Sequence, residues 1–463
     1  MGKGAWVVTL KKGFHETKEN IISLPKKILD HHTNNRILQM RFGQKLVKKV
    51  QVRINDTNDE LEVSPTLFDT FGLDSHMKCH LTISDQILRI GPLIAIFVDT
   101  KYIYTLLEKQ QPSFRSVELE KANGHAKTIL IYFSIHDIHF QQRKIRGTYY
   151  HPREKRWVQG IFPFPDIIHH RGHILRRPHA KYRAAKKVFQ NHPKIKFLNP
   201  VHYFDKWDLY KTLFTNHQEL RKYLPPTTLY TWPAKLERIM NHHPAVYIKS
   251  RISSMGRRVL RLQKENSVGV IYSYYTKRLI RRKVRSVYSA DRVIRSFFGK
   301  DKLIIQQAIP LFQIDHRNID MRATLQRDGA GNLKIHSIVV RLGLAMSPIT
   351  NFRTGSKVYR WEEFFEKHST LFSTLDIETI KKEVEHFLLT TYQAIEKSYG
   401  GPFGEMDIDF ALDQKGGIWL IEPNAKPAKD SLYQAYGPQK VEDSFFSLLE
   451  YAKYISSFFP HVS

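Results

Sequence analysis

The stretch FGEMDIDFALDQKGGIWLIEPN, from Phe403 to Asn424, decides the fold. Its apolar and β-branched residues on both sides of a Lys-Gly-Gly turn predict two strands that pair as a hairpin. Asp407 and Asp409 stand two residues apart on the first strand, as do Glu422 and Asn424 on the second, so each pair shares one face of its strand. The paired strands would therefore carry four oxygen-bearing side chains in one cluster.

Oxygen ligands of this kind suit Mg²⁺, which usually takes one or two carboxylates and leaves its other positions to water and nucleotide phosphates. A lone carboxylate at the end of a strand is more often simply solvated. Four oxygen-bearing residues in register, flanked by apolar strands in a chain of net charge +29, favour a metal site instead.

The composition describes a globular chain with a few structural units. Its 463 residues correspond to about three domains, and 41% hydrophobic with 12% aromatic residues is enough to form a core. Cys79 is the single cysteine, which excludes an intrachain disulfide and fits a reducing compartment. The longest apolar run, Pro92 to Val98, is far shorter than the roughly 20 residues of a membrane span. We expect a soluble, cytoplasmic protein.

The pattern along the chain predicts three regions. Residues 1–90 carry short strands, residues 91–195 carry buried strands of the parallel type with a helix between them, and residues 196–463 alternate helices with strands. The predicted strands of the first two regions are Arg36 to Gly43, Lys45 to Ile54, Asp59 to Ser64, GPLIAIFVDT from Gly91, and Thr128 to Ile135.

Two further segments give specific expectations. In RWVQGIFPFPDIIHHR (Arg156 to Arg171), Pro163 and Pro165 exclude a helix and favour an extended connection rather than a regular element. The clearest helix should run from about Asp376, whose side chain can cap free N–H groups, to Gly400, which favours a helix end. Its apolar face comprises Ile380, Val384, Phe387, Leu388, Tyr392 and Ile395.

The hairpin, with 13 positions from Asp409 to Glu422 and a Glu-x-Asn pair, resembles the metal-binding end of ATP-grasp domains. Other segments resemble that family in the family's order: Asp205 to Asn216, Ala245 to Leu262, Leu303 to Leu311, Asn318 to Arg322, and Val339 to Lys357. More narrowly, the GPLIAIF strand, the PFPDIIHHR segment and this C-terminal region resemble the YheC/YheD endospore coat-associated family.

The resemblance implies a mixed α+β and α/β multidomain fold: a β-rich N-terminal domain (1–90), an α/β pre-ATP-grasp-like domain (91–195) and an ATP-grasp domain (196–463) that grips ATP between two subdomains. It also implies roles for individual residues. ATP phosphates would contact Lys249, with Lys206 as a second lysine and Gly256 in the covering loop, and adenine would be lined by Gln306, Gln307, Ala308 and Ile309. Mg²⁺ would be held by Asp409, Glu422 and Asn424. Phosphate or a bound carboxylate would face Arg322 and Arg341.

The residues themselves leave alternatives open. Lys249 ends an apolar strand, where an amine without an anion is costly, although a solvated lysine is the rival interpretation. Arg341 follows three apolar residues and needs an oxyanion; we favour a ligand, and an ion pair with Asp320 would serve equally. Pro423 cannot donate a ladder hydrogen bond, so its strand must lie at an edge or turn the missing donor outward.

The phosphate-covering loop departs from the glycine-rich pattern of the family, because Gly256 is its single glycine. Arg257 and Arg258 would hold phosphate by charge instead, or would mark a domain that has lost turnover.

Seventy-three Lys and Arg against 44 Asp and Glu predict a polyanionic partner, with a basic surface that serves only solubility as the rival. The densest charge lies from Tyr275 to Lys300, where we predict an amphipathic lid helix close to ATP in preference to a nucleic-acid stripe.

The function implied is that of an ATP- and Mg²⁺-dependent ligase of the carboxylate-amine type. It would act through an acyl phosphate on a carboxylate and a nucleophile that the sequence does not identify, in association with the spore coat. The alternative is a nucleotide-binding protein without turnover, whose partners are coat proteins or an anionic surface.

Overall fold

The computed structural model describes residues 5–14, 17–29, 37–172, 180–253, 258–265, 269–350 and 355–458. The chain forms two compact units. The first comprises residues 1–200, 327–332 and 441–463, and the second comprises residues 201–326 and 333–440. The division into domains 1–90, 91–195 and 196–463 stays a prediction.

The first unit begins with a closed β-barrel whose strands follow the order β1-β5-β2-β4-β3-β7-β6. Alternating apolar residues point inward, so Phe42 and Cys79 are fully buried and the barrel interior is a packed core. The three strands predicted in this region are confirmed as β3, β4 and β5. The elements are β1 (Ala5–Lys12), β2 (Ile21–Pro25), α1 (Lys26–Leu29), β3 (Ile37–Phe42), β4 (Lys45–Asn55), β5 (Glu60–Val63), α2 (Pro65–Phe71), β6 (Lys78–Ser84) and β7 (Ile87–Gly91).

An α/β sheet of order β10-β11-β9-β8-β13-β14, with β12 paired to β11, follows in the same unit. The predicted parallel pair is confirmed, because Leu93 is in register with Ile129 across the two buried strands, although two helices rather than one connect them. The elements are β8 (Leu93–Phe97), α3 (Thr100–Leu107), α4 (Phe114–Ala126), β9 (Ile129–Phe133), β10 (Ile138–His139), β11 (Lys144–His151), β12 (Arg156–Pro163), β13 (Ile167–His170), α5 (Ala180–Gln190) and β14 (Lys196–Phe197).

The prediction that Arg156 to Arg171 is only a connection is wrong, because the segment forms strands β12 and β13. Pro163 is the last residue of β12, which pairs antiparallel with β11, and Ile167 begins β13, which joins β8 in parallel. The prolines do exclude a helix, but the residues before Pro163 pair with β11 and those after Pro165 pair with β8 and β14.

The second unit begins with a sheet of order β15-β20-β16-β17-β18-β19, covered by two helices whose apolar sides are buried at Leu236, Met240, Ile294 and Phe298. The elements are α6 (Lys206–Asn216), β15 (Thr227–Leu229), α7 (Pro233–His242), β16 (Ala245–Ser250), β17 (Val259–Glu265), β18 (Gly269–Tyr275), β19 (Leu279–Val284), α8 (Val287–Phe298) and β20 (Leu303–Gln307).

The predicted lid helix over Tyr275 to Lys300 is wrong in its first half, which is the edge strand β19. Leu279 to Val284 pair residue by residue with β18, and the helix begins only at Val287, after the N-cap Ser286. Backbone hydrogen bonds to β18 outweigh the helical pattern of the basic residues here.

The second sheet of this unit has the order β24-β23-β22-β25-β26, with β21 paired to β22. The predicted long helix is confirmed, with Asp376 accepting a hydrogen bond from the Thr379 N–H at its start and Gly400 at its end. The elements are β21 (Gln313–Ile314), β22 (Arg317–Arg327), β23 (Leu333–Ala345), β24 (Lys357–Arg360), α9 (Trp361–Lys367), α10 (Ile377–Tyr399), β25 (Glu405–Leu412), β26 (Ile418–Asn424), α11 (Asp430–Tyr436) and α12 (Pro438–Ile455); 3₁₀ turns cover Ile135–Asp137, Gln218–Tyr223 and Ser369–Phe372.

Across the described ranges, every helix is too short or too polar to cross a membrane.

Candidate functional site

The predicted hairpin is present as strands β25 and β26, and a one-residue register shift between Asp409 and Phe410 brings the two predicted polar pairs to one face. Asp409 lies opposite Glu422, and Asp407 lies opposite Asn424. The intervening Ile408 is fully buried on the other face, against the core of this unit. Strand β26 is the last strand in the order of its sheet, so Pro423 sits on an edge strand as expected.

Two arginines from neighbouring strands meet the carboxylates on this face. Arg322 donates two hydrogen bonds to Asp409, Nε to Oδ1 at 2.7 Å and Nη2 to Oδ2 at 2.8 Å. Arg341 makes the same two-pronged contact with Asp320, at 2.6 and 2.8 Å, and its Nη2 also lies 3.2 Å from Oδ2 of Asp409. We call this group, Asp320, Arg322, Arg341 and Asp409, the arginine–aspartate ladder.

Alternating charges set the protonation of the ladder. Burial alone would raise the pKa of Asp409, but Arg322 and Arg341 outweigh it, and this pKa lies below its usual range. Burial is the larger effect at Asp320, whose pKa is raised in spite of Arg341. Asp409 is therefore held in its ionised form beside the two arginines.

The ion pair between Arg341 and Asp320, which the sequence left as the alternative to a ligand, is thus present. The roles of Arg322 and Arg341 toward phosphate or a bound carboxylate stay predictions. Both guanidinium groups lie beside Asp409, so a charged group that binds there would meet positions already set by the ladder.

Several polar residues around this face were missed from the sequence. Thr324 donates to Asp407 at 2.7 Å, and Thr350 donates to Asp320. Lys429 and Glu405 form a fully buried ion pair with 2.7 Å between Nζ and Oε2. No local sequence pattern predicts these pairs, because the two residues of each pair are distant in the sequence and meet only through the order of the strands or the path of a loop.

The two predicted lysines lie at a cleft beside Glu422. Lys206, the first residue of α6, donates to Glu422 Oε1 at 3.0 Å and to the carbonyl of Ser253 at 2.6 Å. Lys249 on β16 donates to Gln306 Oε1 at 2.6 Å. Burial lowers the pKa of Lys249 to about 8, with Glu422 acting in the opposite direction and Lys206 in the same direction.

A cavity of about 490 Å³, including the open space at its mouth, lies between these residues. Its polar lining includes Lys206, Lys249, Gln306 and Glu422, and its apolar lining includes Leu224, Ile304 and Leu420. We call it the lysine cleft. The charged residues among its described lining are two lysines and one glutamate, so the cleft carries an excess of positive charge suited to an anion.

The hinge residues at the end of β20 differ in whether their backbone N–H groups donate to a backbone carbonyl. The N–H of Gln307 donates to the carbonyl of Pro226 at 2.9 Å, and that of Ala308 donates to Ala245 at 3.0 Å. The Ile309 N–H has no backbone acceptor among the described residues. If the hinge holds a base, Ile309 supplies the donor.

Gly256 and its neighbour Arg257 lie outside the described residues. Arg258 is described, and its Nη1 donates to the carbonyl of Phe297 at 2.6 Å. This contact leaves the contribution of the covering loop to phosphate as a prediction.

The proposed metal ligands lie close together, and two of them pair with positively charged side chains in this structure. Among the described residues, no three His, Cys, Asp or Glu side chains form a metal-sized group. Asp409 is held by arginines and Glu422 by Lys206. Two carboxylates and the amide of Asn424 are an all-oxygen donor set, which fits Mg²⁺ better than softer metals.

Comparisons with known proteins identify the family of this chain. Residues 194–455 match the family model described as YheC/D like ATP-grasp. The chain is 23% identical over 454 residues to the endospore coat-associated protein YheD of Bacillus subtilis, covering 96% of this chain and 95% of that protein. It is 22% identical over 360 residues to YheC of the same organism, covering 76% and 94%.

Among solved structures, the chain is similar to D-alanyl-alanine synthetase A from Vibrio cholerae, at 11% identity and a TM-score of 0.44, covering 78% of this chain and 98% of that one. It is also similar to the VanG D-Ala:D-Ser ligase from Enterococcus faecalis, at 14% identity and a TM-score of 0.46, covering 79% and 99%. The family match spans more than half of the sequence and includes both sheets of the second unit. The chain therefore belongs to the YheC/D-like ATP-grasp family.

Proposed function

We propose that the lysine cleft binds ATP and that the chain uses it as a ligase of the carboxylate-amine type. The observation that carries the proposal is the convergence of Lys206, Lys249 and Glu422 at one cavity, with Glu422 directly opposite Asp409 of the arginine–aspartate ladder. Membership of an ATP-grasp family supports nucleotide binding at this place.

The two lysines are the phosphate-binding groups in this proposal. Lys249 is held against Gln306 and the ring of Tyr247, with its Nζ 5.5 Å from the ring centre, so its ammonium group is already oriented. Burial makes that ammonium group costly without an anion, and a triphosphate removes the cost. Gln306 lines the same cavity, and the Ile309 N–H provides a donor for the adenine base.

Asp409, Glu422 and Asn424 are the residues that would hold Mg²⁺. The ion would neutralise phosphate charge when bound. For this to happen, Glu422 must exchange Lys206 for the metal, and Asp409 must share its oxygens with Arg322 and Arg341. Lys206, whose side chain lines the same cleft, would then be available to contact phosphate.

The reaction proposed begins with attack of a substrate carboxylate oxygen on the γ-phosphorus, with ADP as the leaving group. An amine nitrogen then attacks the acyl carbon and phosphate leaves. Arg322 and Arg341 are proposed to face the negative charge that develops on the transferred group, since both guanidinium groups are fixed within bonding distance of Asp409.

A nucleotide-binding protein without turnover is the second candidate. The observation that favours it is the complete pairing of Arg322 and Arg341 with Asp409 and Asp320, which leaves these arginines no spare bidentate contact in this structure. By extension from its relatives YheD and YheC, we propose that the chain associates with the spore coat in either case.

An isotope experiment separates the two candidates. The full chain is incubated with Mg-ATP, pairs of amino acids and related amines, and a carboxylate labelled with heavy oxygen. Ligase chemistry through an acyl phosphate transfers one labelled oxygen into inorganic phosphate and forms ADP in equal amount. Binding of Mg-ATP by calorimetry, without ADP formation with any pair, would favour the second candidate.

A further inference from the structure

The first unit contains a second cavity, of about 1400 Å³ including its mouth. It lies at the amino end of β9, where Thr128 and Ile129 line it, and it is walled by the second half of α4 and by strands β11 and β12. Open α/β sheets usually bind ligands at the carboxyl ends of their parallel strands. This cavity is at the opposite end, so it is a separate feature of the fold.

The cavity is lined by a carboxyl group, that of Glu120, whose hydrogen bonding is incomplete among the described residues. Its side chain lines the cavity, and its Oε1 is out of contact with solvent and has no hydrogen-bond partner among the described residues. The nearby Glu118 on the same helix is different, because both of its oxygens accept from Lys121, at 3.1 and 3.2 Å. A buried oxygen without a donor is unfavourable, and a bound donor would remove that cost.

An aromatic wall stands beside this acid. Trp157 is 3% exposed and packs against Tyr150 and Tyr132, with ring centres 5.6 and 5.4 Å away. Gln110 holds the main chain of Trp157 from both sides, accepting from its N–H at 2.8 Å and donating to its carbonyl at 3.0 Å. Glu120, Tyr150 and Trp157 line the same cavity. Burial and then the Glu120 charge raise the pKa of Tyr132, which packs against Trp157.

A carboxyl group beside fixed aromatic rings is the combination that recognises an ammonium group, since the ring faces and the carboxylate both attract a cation. The remaining titratable residues that line the cavity are His76, Lys78, Lys121, Lys127, Tyr149 and Tyr150. Three lysines repel a ligand with several positive charges and attract an anionic group. The lining therefore suits a molecule with one positive and one negative end.

We propose that this cavity binds a small zwitterionic amine, whose ammonium group pairs with Glu120 against Trp157 and whose anionic end lies toward the lysines. Binding here needs no nucleotide, because every lining residue belongs to the first unit.

The test is calorimetry on the full chain with three probes of equal chain length: ε-aminocaproate, hexylamine and caproate. We expect ε-aminocaproate to bind at least about tenfold more tightly than either single-charge probe. Glu120→Gln keeps the size of the side chain and should weaken ε-aminocaproate by at least about tenfold. Glu108→Gln, a matched change at an exposed glutamate just after α3, should leave the affinity unchanged.

Two further readouts depend on charge rather than on shape. Burial raises the pKa of Glu120 to about 8, so pairing with an ammonium group at pH 7 should release close to one proton, seen as a binding heat that changes with the buffer. For the same reason the affinity of the parent should rise between pH 6 and 8, while Glu120→Gln should show a flat profile.

Absence of ε-aminocaproate binding to the folded parent would overturn the proposal. It would also be overturned if Glu120→Gln bound ε-aminocaproate as tightly as the parent does, or if the parent bound caproate as tightly as ε-aminocaproate. Should Glu120→Gln fail to fold, proton release by the parent decides alone: binding without release overturns the pairing with Glu120.

Discussion

The arginine–aspartate ladder and the lysine cleft belong to the same unit, yet their charges are balanced in different ways. In the ladder, two arginines face two aspartates, and each guanidinium group makes two close hydrogen bonds to a carboxylate. In the cleft, two lysines line the cavity with one carboxylate among its described lining, that of Glu422, which pairs with Lys206. Buried charges that are paired with each other stabilise the fold, whereas an excess of positive charge in a cleft favours binding of an anion from solution.

The largest expected effect is on the ladder. Asp320→Ala removes the partner of a buried arginine, so the free energy of unfolding should fall by about 3–5 kcal/mol in denaturant titrations. Glu362→Ala removes an exposed ion pair with Lys381 and should cost less than about 1 kcal/mol. Equal losses in the two variants would mean that the ladder is no more important to folding than a surface pair.

Removing charge from the cleft should have the opposite pattern, with a loss of binding and little loss of stability. Lys249→Met keeps most of the aliphatic stem and should weaken Mg-ATP by about 10- to 100-fold, the value of a charge-assisted contact of about 1.5–3 kcal/mol. The melting temperature without nucleotide should change little. Lys415→Met, in the exposed turn of the hairpin, is the control. If ATP raises the melting temperatures of Lys249→Met and the parent equally, Lys249 does not contact phosphate.

Glu422 joins the two regions, and its replacement tests the proposed metal site. Glu422→Gln should leave the fold intact, because its ion pair with Lys206 is partly exposed. The magnesium concentration needed for half-maximal ATP binding should rise by at least about tenfold. An unchanged magnesium titration in the folded variant would remove Glu422 from the set of metal ligands.

The pH dependence of ATP binding should come from the cleft and not from the ladder. Because burial lowers the pKa of Lys249 to about 8, this group loses its charge as the pH rises through that value. ATP affinity should therefore fall above pH 8, by up to about tenfold per pH unit. Calorimetry between pH 7 and 9 should show this fall in the parent and a flatter profile in Lys249→Met. Identical profiles would place the titrating group elsewhere.

The smallest effect is expected at the edge strand β19. Arg281, Arg282 and Lys283 are exposed there, so changing each to Gln should alter the free energy of unfolding by no more than about 0.5 kcal/mol. Retention on DNA at physiological salt should also change little. A large, salt-sensitive loss of DNA retention with ATP binding intact would establish the basic surface as a nucleic-acid site.

Elements whose pattern is local were predictable. For helix α10, Asp376 predicted the start, Gly400 predicted the end and the 3.6-residue period of apolar residues predicted the buried face. The structure confirms all three. The hairpin of β25 and β26 was equally clear from the alternation along each strand, but the register shift between Asp409 and Phe410 that brings Glu422 opposite Asp409 was not predicted. Strands β12 and β19 were missed, since proline and basic residues argue against regular structure until a partner strand supplies hydrogen bonds.

The sequence by itself determined the family and the shared strand faces of Asp407 with Asp409 and of Glu422 with Asn424, because these depend on motif order and on short spacings. That Lys206 and Lys249 contact phosphate stays a prediction. Only the tertiary structure decided which charged side chains are paired with each other. The contact between Lys206 and Glu422 spans 216 positions, and Arg341 reaches both Asp320 and Asp409 from another strand. Glu120 is an ordinary helix glutamate in the sequence, and only the structure shows that one of its oxygens is buried without a hydrogen-bond partner among the described residues. Whether a charge is satisfied depends on neighbours brought together by sheet order, and sheet order is a property of the whole fold.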